Sequence, residues 1–216
     1  MPMSKGQKGP EFQTGDNRAT ENPLLSSVHT IWLREHNRLS DEIAKQTPGL
    51  SDQQIFEKAK SQVTGLIQHI TYNEFLPALL GAGSIKAYAG YDSSVDPGIS
   101  TEFATAGFRV GHTLISDDLT KVSTDGHTEA PIALKDSFFN VQHLLRGGLD
   151  AIINGASQVI AQEVDTQLVD GLRDFLFGPG GRPSYNGAVS AMDLAARNIQ
   201  RGRDHGITDY LSLIHI

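Results

Sequence analysis

The chain reads as an all-α, mainly helical protein, and three features of its sequence predict this. Apolar residues recur at three-to-four spacing over several long windows. The gaps between those windows carry prolines, glycines and capping residues. No useful length alternates apolar and polar residues as a half-buried strand would.

The first window is Leu24 to Gln46. Val28, Ile31, Trp32, Leu39 and Ile43 form one stripe, and Arg34, Glu35, Arg38, Asp41 and Glu42 the opposite face. After Pro48 and Gly49, Ser51 with Gln54 three residues later is a capping-box start. Ile55, Ala59, Val63, Ile67 and Ile70 share one face of the helix it opens, which is predicted to run to about Phe75, before Pro77. Tyr88 to Pro97 is a loop rich in Gly, Ser, Asp and Pro. Ile99 to Ile115 is predicted as the next helix, with Phe103, Gly107, Val110 and Leu114 on one face. Ser116 to Glu129 is a polar excursion. Leu149 to Gly178 carries Ile152, Val159, Val164, Leu168 and Leu172 and predicts one or two helices, ended by the breakers from Phe177 to Pro183. Ala188 to Arg203 reads as the last helix. Each stripe has an ordinary explanation in helix–helix packing. No internal repeat is visible.

A length of 216 residues fits one large domain or two small ones and suffices for a substantial core. A net charge of -7 argues against a general nucleic-acid binder, which needs a basic surface. No apolar run approaches the length of a membrane span. The start shows no charged-then-apolar signal pattern, and Met1 to Gly9 is expected to be disordered. Cysteine is absent, which excludes disulfides, Cys-based zinc sites and thiolate-ligated haem.

The most informative residue is His112. It lies between the apolar face of its predicted helix and that helix's polar flank, beside Gly107 and Gly111. Glycine costs helix stability by roughly 0.5–1 kcal/mol relative to alanine, so two of them need a reason. A flat, bulky group approaching the backbone next to an imidazole is one reason, and a haem with His112 as axial ligand fits it. A hydrogen-bonded core or surface histidine is the other reading. Three polar clusters also fail to fit simple amphipathic faces. They are Gly15 to Glu21, with Arg18 and Glu21 three apart; Arg34 to Arg38, inside an apolar helix; and Asn198 to Gly206, with Arg201, Arg203, Asp204 and His205. Alone, the first is a surface ion pair, and the last is a helix end whose arginines suit the dipole and whose Gly206 is a cap.

Together, in this order, the stretches Arg18 to Glu21, Leu33 to Leu39, Ile70 to Pro77, Phe108 to Ile115 and Asn198 to Gly206 resemble the animal-type haem peroxidases of the peroxidase–cyclooxygenase superfamily. The resemblance runs from about Gly15 to Tyr210, with little between Ser116 and Lys135. It implies a helical peroxidase fold and a haem b cofactor. His112 matches the family's proximal iron ligand, and Asn198 matches the residue that holds the ligand's other ring nitrogen. Arg18 matches the distal arginine, which stabilises charge on the departing peroxide oxygen. Glu21 matches a position that forms an ester with a haem methyl group in mammalian members. Asn22 stands where some members carry a vinyl-linked methionine, so that link is not expected. Arg109 and Arg201 match residues near the haem propionates. The segment from Arg34 to Arg38 is a family hallmark, expected to form a buried charged network that orients the distal side. Cyclooxygenases carry a radical-forming tyrosine three residues before the proximal histidine. This chain has Arg109 there, which disfavours fatty-acid dioxygenation and favours a two-electron peroxidase.

The implied partners are hydrogen peroxide and a small electron donor, a halide or a phenol, with no nucleic acid and no membrane span. Calcium is implied for a full-length parent, and an extracellular or secreted location follows from the family. The family's distal histidine, second ester aspartate and calcium loop lie upstream of the arginine motif, and no histidine precedes Gly15 here. The sequence is therefore expected to be a partial domain. Residues 1–14 would be disordered or truncated, 15–210 the partial peroxidase domain, and 211–216 a non-native tail whose His215 is no ligand. Such a fragment is expected to bind haem poorly and to be inactive or to turn over slowly at best. A haem-binding protein without turnover, or a helical domain without cofactor, are the alternatives.

Overall fold

The computed structural model describes residues 3–6, 9–176 and 193–215. The fold is mainly α-helical. Strands β1 (Met3–Gly6) and β2 (Gly9–Phe12) pair antiparallel with Met3 opposite Phe12, within the stretch expected to be disordered. A 3-10 turn, Asn17–Thr20, leads into α1 (Pro23–Gln46). Pro23 opens α1 where its missing N–H costs nothing, and the Leu25 N–H donates to Asn22 Oδ1 at 2.9 Å. Helix α2 (Asp52–Ile70) starts with the predicted capping box of Ser51 and Gln54.

The predicted stop before Pro77 is not a stop. A π turn, Thr71–Phe75, carries the chain into α3 (Leu76–Leu80), with Pro77 in its first turn. In an α-helix the Pro77 ring would strike the carbonyl four residues back. The π turn, in which the Leu76 N–H reaches the Thr71 carbonyl, stands just before that ring, and the helix continues past it.

The helix predicted over Ile99 to Ile115 is broken. Helix α4 (Thr101–Thr105) ends at Ala106, whose φ of -126° and ψ of -64° leave the helical region, and a 3-10 turn covers Gly107–His112. The Thr105 hydroxyl donates back to the Thr101 carbonyl, and Gly107 and Gly111 lower the helix propensity of the next turns. The polar excursion then proves to be a hairpin of β3 (Asp118–Val122) and β4 (Thr128–Ala133), antiparallel with a register shift between Leu119 and Lys121. Short helices α5 (Leu134–Ser137) and α6 (Gln142–Gly147) come after it. Next come α7 (Leu149–Gln158) and α8 (Asp170–Phe175), the two helices allowed within the fourth window. The breakers from Phe177 to Pro183 lie outside the described residues, as does the start of the predicted last helix. Its described part is α9 (Leu194–Asp204), capped by Asp193. Helix α10 (Tyr210–Ile214), capped by Asp209, occupies the supposed tail.

The chain divides into two compact units. Val28–Asp96 forms one, with a core of Leu39, Ile43 and Ala59 against Leu50, Ile55 and Val63. Met1–Ser27 with Pro97–Ile216 forms the other, centred on Leu134, Phe138, Leu172, Leu176 and Leu194. In this second unit α7 packs on β3 through Gly155, where any side chain would meet the Thr120 backbone. Among the described residues no helix is long and apolar enough to cross a membrane.

Candidate functional site

All six residues singled out from the sequence lie in the second unit. Its centre is a contact across 86 residues of chain. The Asn198 side-chain amide lies 2.9 Å from His112 Nδ1. His112 ends the 3-10 turn, and Asn198 sits in the second turn of α9. The cap that starts α9, the Asp193 carboxylate accepting the Ala196 N–H at 3.0 Å, therefore fixes the height at which Asn198 meets the imidazole. The amide atom at 2.9 Å is Nδ2, which donates to Nδ1 when the ring proton sits on Nε2. With the amide turned over, its oxygen accepts a proton from Nδ1 and Nε2 keeps a lone pair for a metal.

His112 is half-buried, and its pKa is drawn below the usual histidine range, first by burial and then by the Arg109 cation. Both effects favour the neutral ring, the form that binds metals. Among the described residues no group of three or more His, Cys, Asp or Glu could hold a bare ion. A lone imidazole suits an iron whose other ligands come from a macrocycle. The surroundings fit such a group. Phe108 and Phe103 are 67% and 51% exposed with ring centroids 5.4 Å apart, and Ile199 is 60% exposed. Gly111 and Gly202 face open space.

A cleft of about 350 Å³ adjoins this pair, lined by Ala106, Arg109, Asn198, Gly202, Arg203 and Ile207 among others. Arg109 Nε is buried and has no hydrogen-bond partner among the described residues. A buried, unpaired guanidinium nitrogen in a cleft with a second arginine fits an anionic ligand such as a carboxylate. The second arginine here is Arg203. Arg201, the residue expected beside the propionates, does not line this cleft, although its backbone carbonyl contacts His205 Nδ1 at 2.9 Å. Arg203 stood in the same charged run as Arg201, but spacing alone could not say which of the two turns toward Arg109.

On the other side of the expected site, Arg18 pairs with Asp16 rather than with Glu21. Its Nε donates to Asp16 at 3.0 and 3.1 Å and its Nη2 at 2.5 Å, and the side chain is 81% exposed. Asp16 is also the cap of the 3-10 turn, accepting the Arg18 N–H at 2.9 Å, so local geometry draws the guanidinium back onto its own cap. Glu21 is half-buried. Burial pushes its carboxyl up, and the nearby Arg18 partly opposes this. Its backbone carbonyl accepts the Phe139 N–H at 2.8 Å.

The segment from Arg34 to Arg38 departs from expectation. Arg38 donates to Glu35 at 2.7 and 2.8 Å and to Glu42 at 2.5 Å, yet Arg38 is 52% exposed. This is an ion-pair ladder on an exposed helix face, not a buried network. The spacing i, i+3 and i+4 along α1 accounts for it without a partner helix.

Residues 2–215 match the family model described as "Animal haem peroxidase". Peroxinectin A of Dictyostelium discoideum is 39% identical over 202 residues, 94% of this chain and 36% of that protein. Mouse eosinophil peroxidase is 37% identical over 211 residues, covering 93% of this chain and 28% of its own length. The mouse peroxidasin homolog is 39% identical over 209 residues, 14% of its length. The chain thus spans little more than a third of these relatives at most. The solved structure of peroxidase A from Dictyostelium discoideum superposes with a TM-score of 0.82 at 34% identity, over 97% of this chain and 43% of that one.

Proposed function

This chain belongs to the animal haem peroxidase family, and we propose that it holds haem b against His112 for the oxidation of a halide or phenolic donor by hydrogen peroxide. The observation that supports the reading is the 2.9 Å contact between His112 Nδ1 and the Asn198 amide, which, with the amide oxygen turned to the ring, would hold the tautomer that keeps Nε2 free for iron. Haem, when bound, would supply the redox-active iron through which hydrogen peroxide, taking up two electrons from the donor and two protons, is reduced to two waters. The protein's part is to hold, orient and neutralise. The neutral Asn198 amide fixes the ring with less electron push than a carboxylate partner would give. Arg109, with Arg203 beside it in the cleft, would offer permanent cations to a propionate, and Arg201 would serve the second. Arg18 stabilises the charge that develops as the O–O bond opens. Glu21 would carry an ester to the haem edge. For the whole protein the same reading extends to calcium and to an extracellular location.

A second reading is haem binding without efficient turnover. What favours it is Arg18, whose guanidinium is engaged by Asp16 and exposed. Steady-state oxidation of a phenol by the haem-loaded chain separates the two. The peroxidase reading expects peroxide-dependent turnover that falls by roughly a hundredfold in Arg18→Gln, the scale set by losing one oriented charge-stabilising donor. Haem loading without peroxide-dependent turnover supports the second reading. Turnover unaffected by Arg18→Gln removes Arg18 from the chemistry.

A further inference from the structure

A second polar pocket lies within the same unit, away from the His112–Asn198 contact. It has a volume of about 500 Å³ and is bounded by Lys121 and Glu129 of the β3–β4 hairpin and by Asn140, Gln142, His143 and Arg146 around α6. Its chemistry is dominated by donors. Lys121 brings an ammonium, Arg146 a guanidinium, and Asn140 and Gln142 two amides. The lone carboxylate, Glu129, is held by Lys121 at 2.6 Å, and Lys121 is only 16% exposed. That pair is neutral as a unit, so Arg146 sets the sign of the pocket.

Two observations set this pocket apart from a chance hollow. His143 Nε2 is buried and has no hydrogen-bond partner among the described residues. A buried ring nitrogen without a partner is costly and calls for a group that completes it. The backbone leading to the pocket is also strained. Phe139, next to Asn140, has a φ of +52°, a left-handed conformation that bulky side chains rarely adopt. Strain of this kind gathers where a loop must present particular side chains. Here it turns the chain so that Asn140, Gln142 and His143 reach one pocket, and the Phe139 N–H bond to the Glu21 carbonyl holds it.

We propose that this pocket binds a small anion through carboxylate or phosphate oxygens, which would accept from Arg146 and from His143 Nε2–H. The volume exceeds a bare ion and fits a small organic molecule carrying one such group.

Calorimetric titration of the full chain with inorganic phosphate, and separately with acetate, tests this. Sodium chloride at matched ionic strength serves as the reference for screening. One of the two oxyanions is expected to bind beyond that reference, and which one does so names the headgroup. Arg146→Gln and His143→Phe, the latter keeping a ring in the buried position, are each expected to weaken binding about tenfold or more, the cost of one charge-assisted hydrogen bond. Arg146→Lys is expected to recover part of the loss. Far-UV circular dichroism confirms that each variant is folded. Heats that equal the chloride reference for both oxyanions overturn the proposal. So does an affinity that Arg146→Gln leaves unchanged.

Discussion

Replacing Gly155 with alanine sets two rules of protein stability against each other. Gly155 lies inside α7, where helix propensity alone predicts a gain of about 1 kcal/mol for alanine. The packing predicts the opposite. A Cβ at this position would lie 2.0 Å from the Thr120 carbonyl oxygen, 2.5 Å from its carbon and 2.9 Å from Lys121 Cα, where ordinary contact begins at 3.4 Å. All three atoms are backbone of β3, so no side-chain rotation relieves the clash. The helix must lift from the hairpin, and overpacking on this scale costs about 3 kcal/mol or more. The net expectation for Gly155→Ala is a loss of about 2 kcal/mol or more. Urea unfolding followed by far-UV circular dichroism reads it directly. With a slope of about 1–3 kcal/mol per molar for a small protein, the midpoint falls by roughly 1 M. An unchanged or higher midpoint would mean that α7 does not lie on β3 at Gly155, and the packing argument for this unit would fail.

Three further outcomes concern the candidate site. Asn198→Leu, which removes the partner of His112 Nδ1, is expected to weaken haem binding by about 10- to 100-fold in a spectroscopic titration, and equal affinity would detach Asn198 from the ligand. Asp193→Ala removes the cap of α9 and is expected to cost about 1 kcal/mol in thermal unfolding. The depressed pKa of His112 means that the unfolded chain takes up its proton first as pH falls. Its contribution to stability is therefore lost below about pH 6.5, the ordinary histidine value, and levels off below the folded pKa. Unfolding midpoints of the haem-free protein should drop across that window, and His112→Gln should flatten the drop; parallel pH profiles would contradict the assigned direction.

The helical class, the capping box of α2 and the Leu39 and Ile43 end of the α1 stripe were legible because each rests on local periodicity and chain chemistry, whereas Val28 and Ile31 of that stripe are exposed. The hairpin after His112 was not. The register shift between Leu119 and Lys121 breaks the period-two pattern that would have marked β3, and Lys121 is half-buried through its ion pair rather than through its composition. The break at Ala106 was equally hidden, since Phe103, Gly107 and Val110 keep helical spacing across it. At the site, His112 with Asn198 was visible as two motifs of one family, and the structure brings them to 2.9 Å. The position of Arg203 in the cleft, and the turn of Arg18 onto Asp16, depend on side-chain packing that no spacing rule encodes.

The proposed haem site rests on His112 as the iron ligand. Loading the chain with haem and recording the Soret band and the ferrous iron–imidazole stretch by resonance Raman tests this most directly. The expected result is a histidine-ligated spectrum that His112→Ala abolishes and that added imidazole restores. A histidine-ligated spectrum that survives His112→Ala would place the iron on another residue and overturn the reading.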